Sequence, residues 1–166
     1  MGKVTVIETN LSFTHPLDPR SSTNYFVVHH AASAGDISAA DIHQEHQAFG
    51  WAGCGYHYVI RYHGDIERGR PRDTVGAHAQ GVNACSVGVV LAGNFMAAEP
   101  TAAQMNSLEN LLADLCDIYS LNPVNMIGHR DVADIVHDST DATDCPGDRL
   151  YAKMDEIKQK VQALRS

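Results

Sequence analysis

The chain lacks any apolar run approaching the roughly 20 residues of a membrane-crossing helix, so a helical span is excluded. Positive charge is scarce as well. Twelve Lys and Arg stand against 20 Asp and Glu, a net charge of −8 with His neutral. That balance offers no electrostatic footprint for nucleic acid or for anionic membranes. The start, Met-Gly-Lys-Val-Thr-Val-Ile-Glu, has no signal-peptide core, and no Ser or Thr stands where myristoylation requires one. The expectation is residence in the cytoplasm of the producing cell, without lipidation. None of the four cysteines has a close partner in sequence, so Cys54, Cys85 and Cys116 read as free thiols. Repeats, low-complexity tracts and linkers are also missing. One domain over residues 1–166 is expected, with a core at about 25–150 and a last helix to 165.

What the chain does have is secondary-structure punctuation. Residues 25–30, Tyr-Phe-Val-Val-His-His, read as a buried strand. Residues 38–49 read as a helix with Ser38 as N-cap, Asp41 three residues on and Gly50 as its stop. Residues 56–60 and 66–69 form strands around a turn at His63-Gly64-Asp65. Residues 86–92 form a central strand whose Gly88 permits close approach. Thr101 and Gln104 make a capping box. The helix they open carries Met105, Leu108, Leu111, Leu112, Leu115 and Ile118 as one stripe. A short strand at 124–128 and a helix from about 148 follow, and residues 4–8 make a possible edge strand. Strands and helices in this order imply an α/β fold, a mixed central β-sheet flanked by helices. The strand ends at His30 and Gly128 then share one sheet edge, where loops assemble sites.

The chain has ten histidines. His29 ends a strand, His129 follows one in Ile-Gly-His-Arg-Asp, and Cys145 precedes a Pro-Gly turn. Two histidines and a thiolate with an open fourth position make a catalytic rather than a structural zinc set. Alternation along the strand turns His30 to the opposite face. Arg61, Arg68, Arg70 and Arg72 form a local basic run. It is either a solvated hairpin face or a carboxylate clamp for which Arg geometry is suited, with Arg72 as the clamp residue.

Several motifs occur in one order: Val27-Val28-His29-His30, Gly55-Tyr56-His57-Tyr58, Val75-Gly76-Ala77-His78 with Asn83, Ser86-Val87-Gly88-Val89, Gly128-His129-Arg130, and Thr143-x-Cys145-Pro146-Gly147. The series resembles the zinc-dependent N-acetylmuramoyl-L-alanine amidases of type 2, which include phage amidase-type lysozymes and peptidoglycan-recognition proteins. The resemblance implies Zn²⁺ on His29, His129 and Cys145, with Tyr56 and Thr143 as catalytic residues. It places His78 and Asn83 at the substrate groove and gives His46 a structural role. The reaction implied is metal-assisted hydrolysis of the amide between the lactyl group of N-acetylmuramic acid and L-alanine. In it zinc lowers the pKa of a water toward about 7. The expected partner is peptidoglycan or a muropeptide, and the expected state a monomer that acts on the wall after release, as a phage or bacterial lysin does. The alternative is a non-catalytic peptidoglycan-binding module, although binders of the family typically lack the cysteine. The chain departs from the pattern at residues 134–141, an acidic insertion that is either a surface loop or a lid or wall of the groove.

Overall fold

The computed structural model describes residues 4–165; Met1-Gly2, on which the lipidation argument rests, lies outside them. The strands are β1 (Val6–Ile7), β2 (Tyr25–His30), β3 (Tyr58–Ile60), β4 (Ile66–Arg68), β5 (Ser86–Leu91) and β6 (Met126–Gly128). The helices are α1 (Ala39–Ala48), α2 (Ala102–Tyr119), α3 (Val132–Val136), α4 (Asp148–Tyr151) and α5 (Met154–Arg165). The strands form one mixed sheet in the order β1-β4-β3-β5-β2-β6. Only the β3–β4 hairpin is antiparallel. The central strands β2 and β5 are almost wholly buried, as expected for parallel strands covered on both faces.

Alternation sorts the side chains into two layers. Phe26, Val28, Val87, Val89 and Leu91 face α2 and α5, meeting Leu108, Leu111, Leu112, Leu115 and Ile157. Each fully buried leucine contributes roughly 1.5–3 kcal/mol. Val59 and Val90 face the other way, onto Ala39 and Ile42 of α1. Val27 shares that face and meets Ala79, Val82 and Val132. Both expected capping boxes form, Ser38 with Asp41 and Thr101 with Gln104. They supply acceptors for helix-start N–H groups that have no intrahelical partner.

Three expectations need adjustment. The edge strand shrinks to Val6–Ile7, paired with β4. Ile118 of the α2 stripe is 48% exposed. The last helix divides at residues 152–153 into α4 and α5. The insertion is not a plain loop: α3 and a 3₁₀ turn at Ser139–Asp141 lie there. Ile135 and Val136 pack with Ala79 and Val82, so α3 backs the segment that carries His78.

Candidate metal centre and substrate groove

Strand alternation puts His29 on the α1 side with Val27, and His30 on the α2 side. There His30 Nδ1 accepts the Phe95 N–H at 3.0 Å. β6 runs parallel to β2 with Val28 opposite Gly128, so the chain leaving β6 sets His129 beside His29. Their ring centroids are 4.6 Å apart. The turn carrying His129 is fastened twice. Asp131 Oδ2 accepts the Gly128 N–H at 3.0 Å, and the Tyr151 hydroxyl donates to Asp131 Oδ1. Arg130 links this turn to the Cys145 loop, its N–H donating to Cys145 O at 2.9 Å. The Arg130 guanidinium lies 4.5 Å from the Tyr151 ring centre and pairs with Asp148 at 3.0 Å.

Cys145 is buried. Its N–H donates to Thr143 Oγ1 at 3.1 Å, and its sulfur accepts the His30 N–H at 3.4 Å. The sulfur lies 3.5 Å from His29 Nδ1. One ligand atom from each of His29, His129 and Cys145 falls within 4.8 Å of the others. A tetrahedral ion with bonds of about 2.0 Å to nitrogen and 2.3 Å to sulfur separates those donors by about 3.5 Å. The His29–Cys145 spacing fits that requirement, and His129 is near enough to complete it. Burial pushes the Cys145 thiol up to about 12. Burial, and then the neighbouring His78, holds His29 well below its ordinary value. A bound cation favours the thiolate and uses the neutral imidazole as a ligand.

Tyr56 follows a turn that α1 holds in place. His43 Nδ1 accepts the Cys54 N–H at 2.9 Å, while its other nitrogen donates to Ser12 O at 2.8 Å. His46 Nδ1 accepts the Gly55 N–H at 2.8 Å. Gly55 is required because a Cβ there would stand 2.1 Å from Ala77 O. The Tyr56 ring lies 5.0 Å from that of His29. Its hydroxyl forms no hydrogen bond to any described residue. Burial raises its pKa, so at neutral pH it is a proton donor.

A groove of about 500 Å³ runs beside His129, lined by Trp51, Ala77, His78, Ala79, Gln80 and Asn83. Trp51, 41% exposed, is a wall of this groove. His78 and Asn83 line the groove, but both His78 ring nitrogens and Asn83 Oδ1 are engaged within the protein. Asn83 Oδ1 accepts the N–H groups of His78 and Ala79 at 2.8 and 2.9 Å. Arg72 requires correction. It lines a different cavity with Tyr58, Leu111 and Ile118, and its guanidinium lies near the Tyr119 ring. Tyr119 ends α2, which packs on the sheet face of Phe26 and Val28, opposite that of Val27 and His29. The rest of the basic run is also spoken for. Arg61 pairs with Asp36 and Glu67, Arg68 pairs with Glu8, and Arg70 donates to Cys54 O and Val75 O.

A mixed sheet with two histidines and a cysteine converging at one edge, beside an open groove, defines a candidate metallohydrolase. The sequence profile of N-acetylmuramoyl-L-alanine amidase matches residues 19–148. The chain belongs to this amidase family. It is 39% identical over 121 residues to the endolysin of Klebsiella phage KP32, covering 69% of this chain and 79% of that protein. The solved endolysin amidase LysCS from Clostridium intestinale superposes with a TM-score of 0.84 at 34% identity, over 97% of both chains. Drosophila peptidoglycan-recognition protein LB superposes with a TM-score of 0.75 at 28% identity, over 91% of this chain and 92% of that one.

Proposed function

We propose that this peptidoglycan amidase cleaves the bond between the lactyl group of N-acetylmuramic acid and L-alanine with Zn²⁺ held by His29, His129 and Cys145. The observation carrying this reading is the convergence of those three donors within 4.8 Å. When bound, zinc supplies a Lewis acid and acidifies a water toward neutral pH. The remaining work belongs to the chain. His29 and Cys145 are buried and fixed by their neighbours, so the donor set is organised before an ion arrives. The Tyr56 hydroxyl, protonated at neutral pH, donates to the oxygen on which negative charge develops. Thr143 spends its lone pair on the Cys145 N–H and keeps its own proton for the substrate. Trp51 and the backbone of residues 77–80 form the wall against which the muropeptide lies. The intact His-His-Cys donor set favours hydrolysis over recognition alone, since a binder needs no buried thiol beside two imidazoles.

Among the described residues no helix is long and apolar enough to cross a membrane. We place the enzyme on the wall after release from the producing cell, as a monomeric catalytic unit over 1–166. The test is elemental analysis after exhaustive dialysis, with a muropeptide digest on the same sample. One zinc per chain and the free L-alanine terminus are expected, with activity lost to a chelator and restored by zinc. Well under half an equivalent of zinc in active protein refutes the metal assignment.

A further inference from the structure

Both ring nitrogens of the buried His78 are engaged, and the polarity of the chain they join can be read from its end. The Ser86 hydroxyl lies 2.7 Å from the Val82 carbonyl oxygen, which can only accept. Ser86 has one proton to give, and it goes there. The Ser86 oxygen therefore accepts at its other contact, from His78 Nε2 at 3.2 Å. With Nε2 protonated, a neutral His78 has a lone pair on Nδ1. That nitrogen lies 2.9 Å from His29 Nε2, so the His29 proton sits on Nε2. The nitrogen left bare is His29 Nδ1, the one 3.5 Å from Cys145 Sγ. His29 and His78 are only 1% and 8% exposed, and burial of two adjacent rings favours neutral forms.

The backbone prepares this chain. Ser86, Gly88 and Val90 point to one face of β5, and Val90 is opposite His29 on β2. The His78 imidazole lies across Gly88, where a Cβ would stand 2.6 Å from its Cγ. Asn83 fixes the His78 backbone from the other side.

We propose that Ser86 and His78 are positioning residues that hold His29 in its Nε2–H tautomer and aim the Nδ1 lone pair at the metal. This rests on the zinc site proposed above. A hydrogen-bonded partner behind a metal-ligating histidine typically changes affinity by roughly ten- to a hundredfold.

The test has two arms. Zinc affinity is measured by competition with a chromophoric chelator for the full chain, for Ser86→Ala and for Ser86→Thr. Ser86→Ala is expected to bind zinc roughly ten- to a hundredfold more weakly. Ser86→Thr, which keeps the hydroxyl, is expected to recover most of that loss. Nitrogen-15 NMR of the full chain reads the tautomer itself, with and without zinc. His29 is expected to carry its proton on Nε2 in both states, in slow exchange with solvent. Wild-type affinity in Ser86→Ala overturns the proposal, and so does an Nδ1-protonated His29 in the metal-free chain. If the variant fails to fold, the NMR arm on the wild-type chain still decides. If the wild-type chain binds no zinc, the metal reading fails while the tautomer measurement stands apart from it.

Discussion

Tyr56→Phe separates a catalytic hydroxyl from a packing one. The ring touches His29 and His46, at 5.0 and 5.6 Å between centroids, and phenylalanine keeps both contacts. The hydroxyl has no partner among the described residues, so its removal breaks no hydrogen bond with any of them. Stability should change by no more than about 1 kcal/mol, which moves Tm by under about 4 °C in a chain of this size. A donor to the developing oxyanion is worth far more. Losing one costs roughly a hundred- to a thousandfold in kcat, or about 2.7–4 kcal/mol of barrier. Because the contact is made chiefly in the transition state, KM should hardly move. The assay is steady-state kinetics on a soluble muropeptide beside a thermal melt of the same preparation. An unchanged kcat removes Tyr56 from the mechanism and leaves Thr143 as the remaining donor. A fall in kcat that tracks a large fall in Tm shows instead that the ring was displaced.

Two further predictions concern the metal site and the buried histidines. Cys145→Ser should retain binding to cell walls in a pull-down and lose hydrolysis, because serine is a poor zinc ligand while the groove is unchanged; wild-type turnover would sink the ligand assignment. Burial holds His57 down at about 3, against an ordinary 6.5, with Nδ1 accepting the Gly88 N–H and Nε2 donating to Thr74 O. The unfolded chain therefore binds a proton below pH 6.5 that the folded chain refuses until about pH 3, and stability falls as pH falls through that window. His57 alone should account for about 2 kcal/mol of loss between pH 7 and pH 5, read by urea unfolding at each pH. A His57 resonance that titrates near 6.5 in the folded protein would overturn the argument.

The parts of the site that follow from local rules were legible in the sequence. Period-two alternation in Val-Val-His-His sends His29 and His30 to opposite faces, and capping boxes mark the starts of α1 and α2. The parts that depend on which strand lies beside which were not. Arg72 read as a clamp residue from its place in the basic run, yet its guanidinium lies by the Tyr119 ring at the end of α2. His78 and Asn83 line the groove, but the Asn83 oxygen and the His78 ring nitrogens are engaged in contacts that sequence spacing does not reveal. Arg20 carried no signal at all. It is buried and donates to the carbonyls of Arg72 and Thr74 and to the Tyr119 hydroxyl, joining segments that no sequence window contains. Within 134–141, Ile135 and Val136 at the end of α3 pack with Ala79 and Val82, a contact about 55 positions away along the chain.

The strand order has a consequence for how the protein behaves in a crowded solution. The two longest strands, β2 and β5, lie inside the sheet with six residues each, whereas the outermost strands β1 and β6 have two and three. An outer strand with open N–H and C=O groups is a template on which another chain can add a strand and begin to aggregate. Here the template at either border is too short to hold more than a couple of ladder bonds. The sheet that delivers His29 to the groove therefore offers a neighbouring copy almost nothing to zip onto, even when the protein accumulates to high concentration.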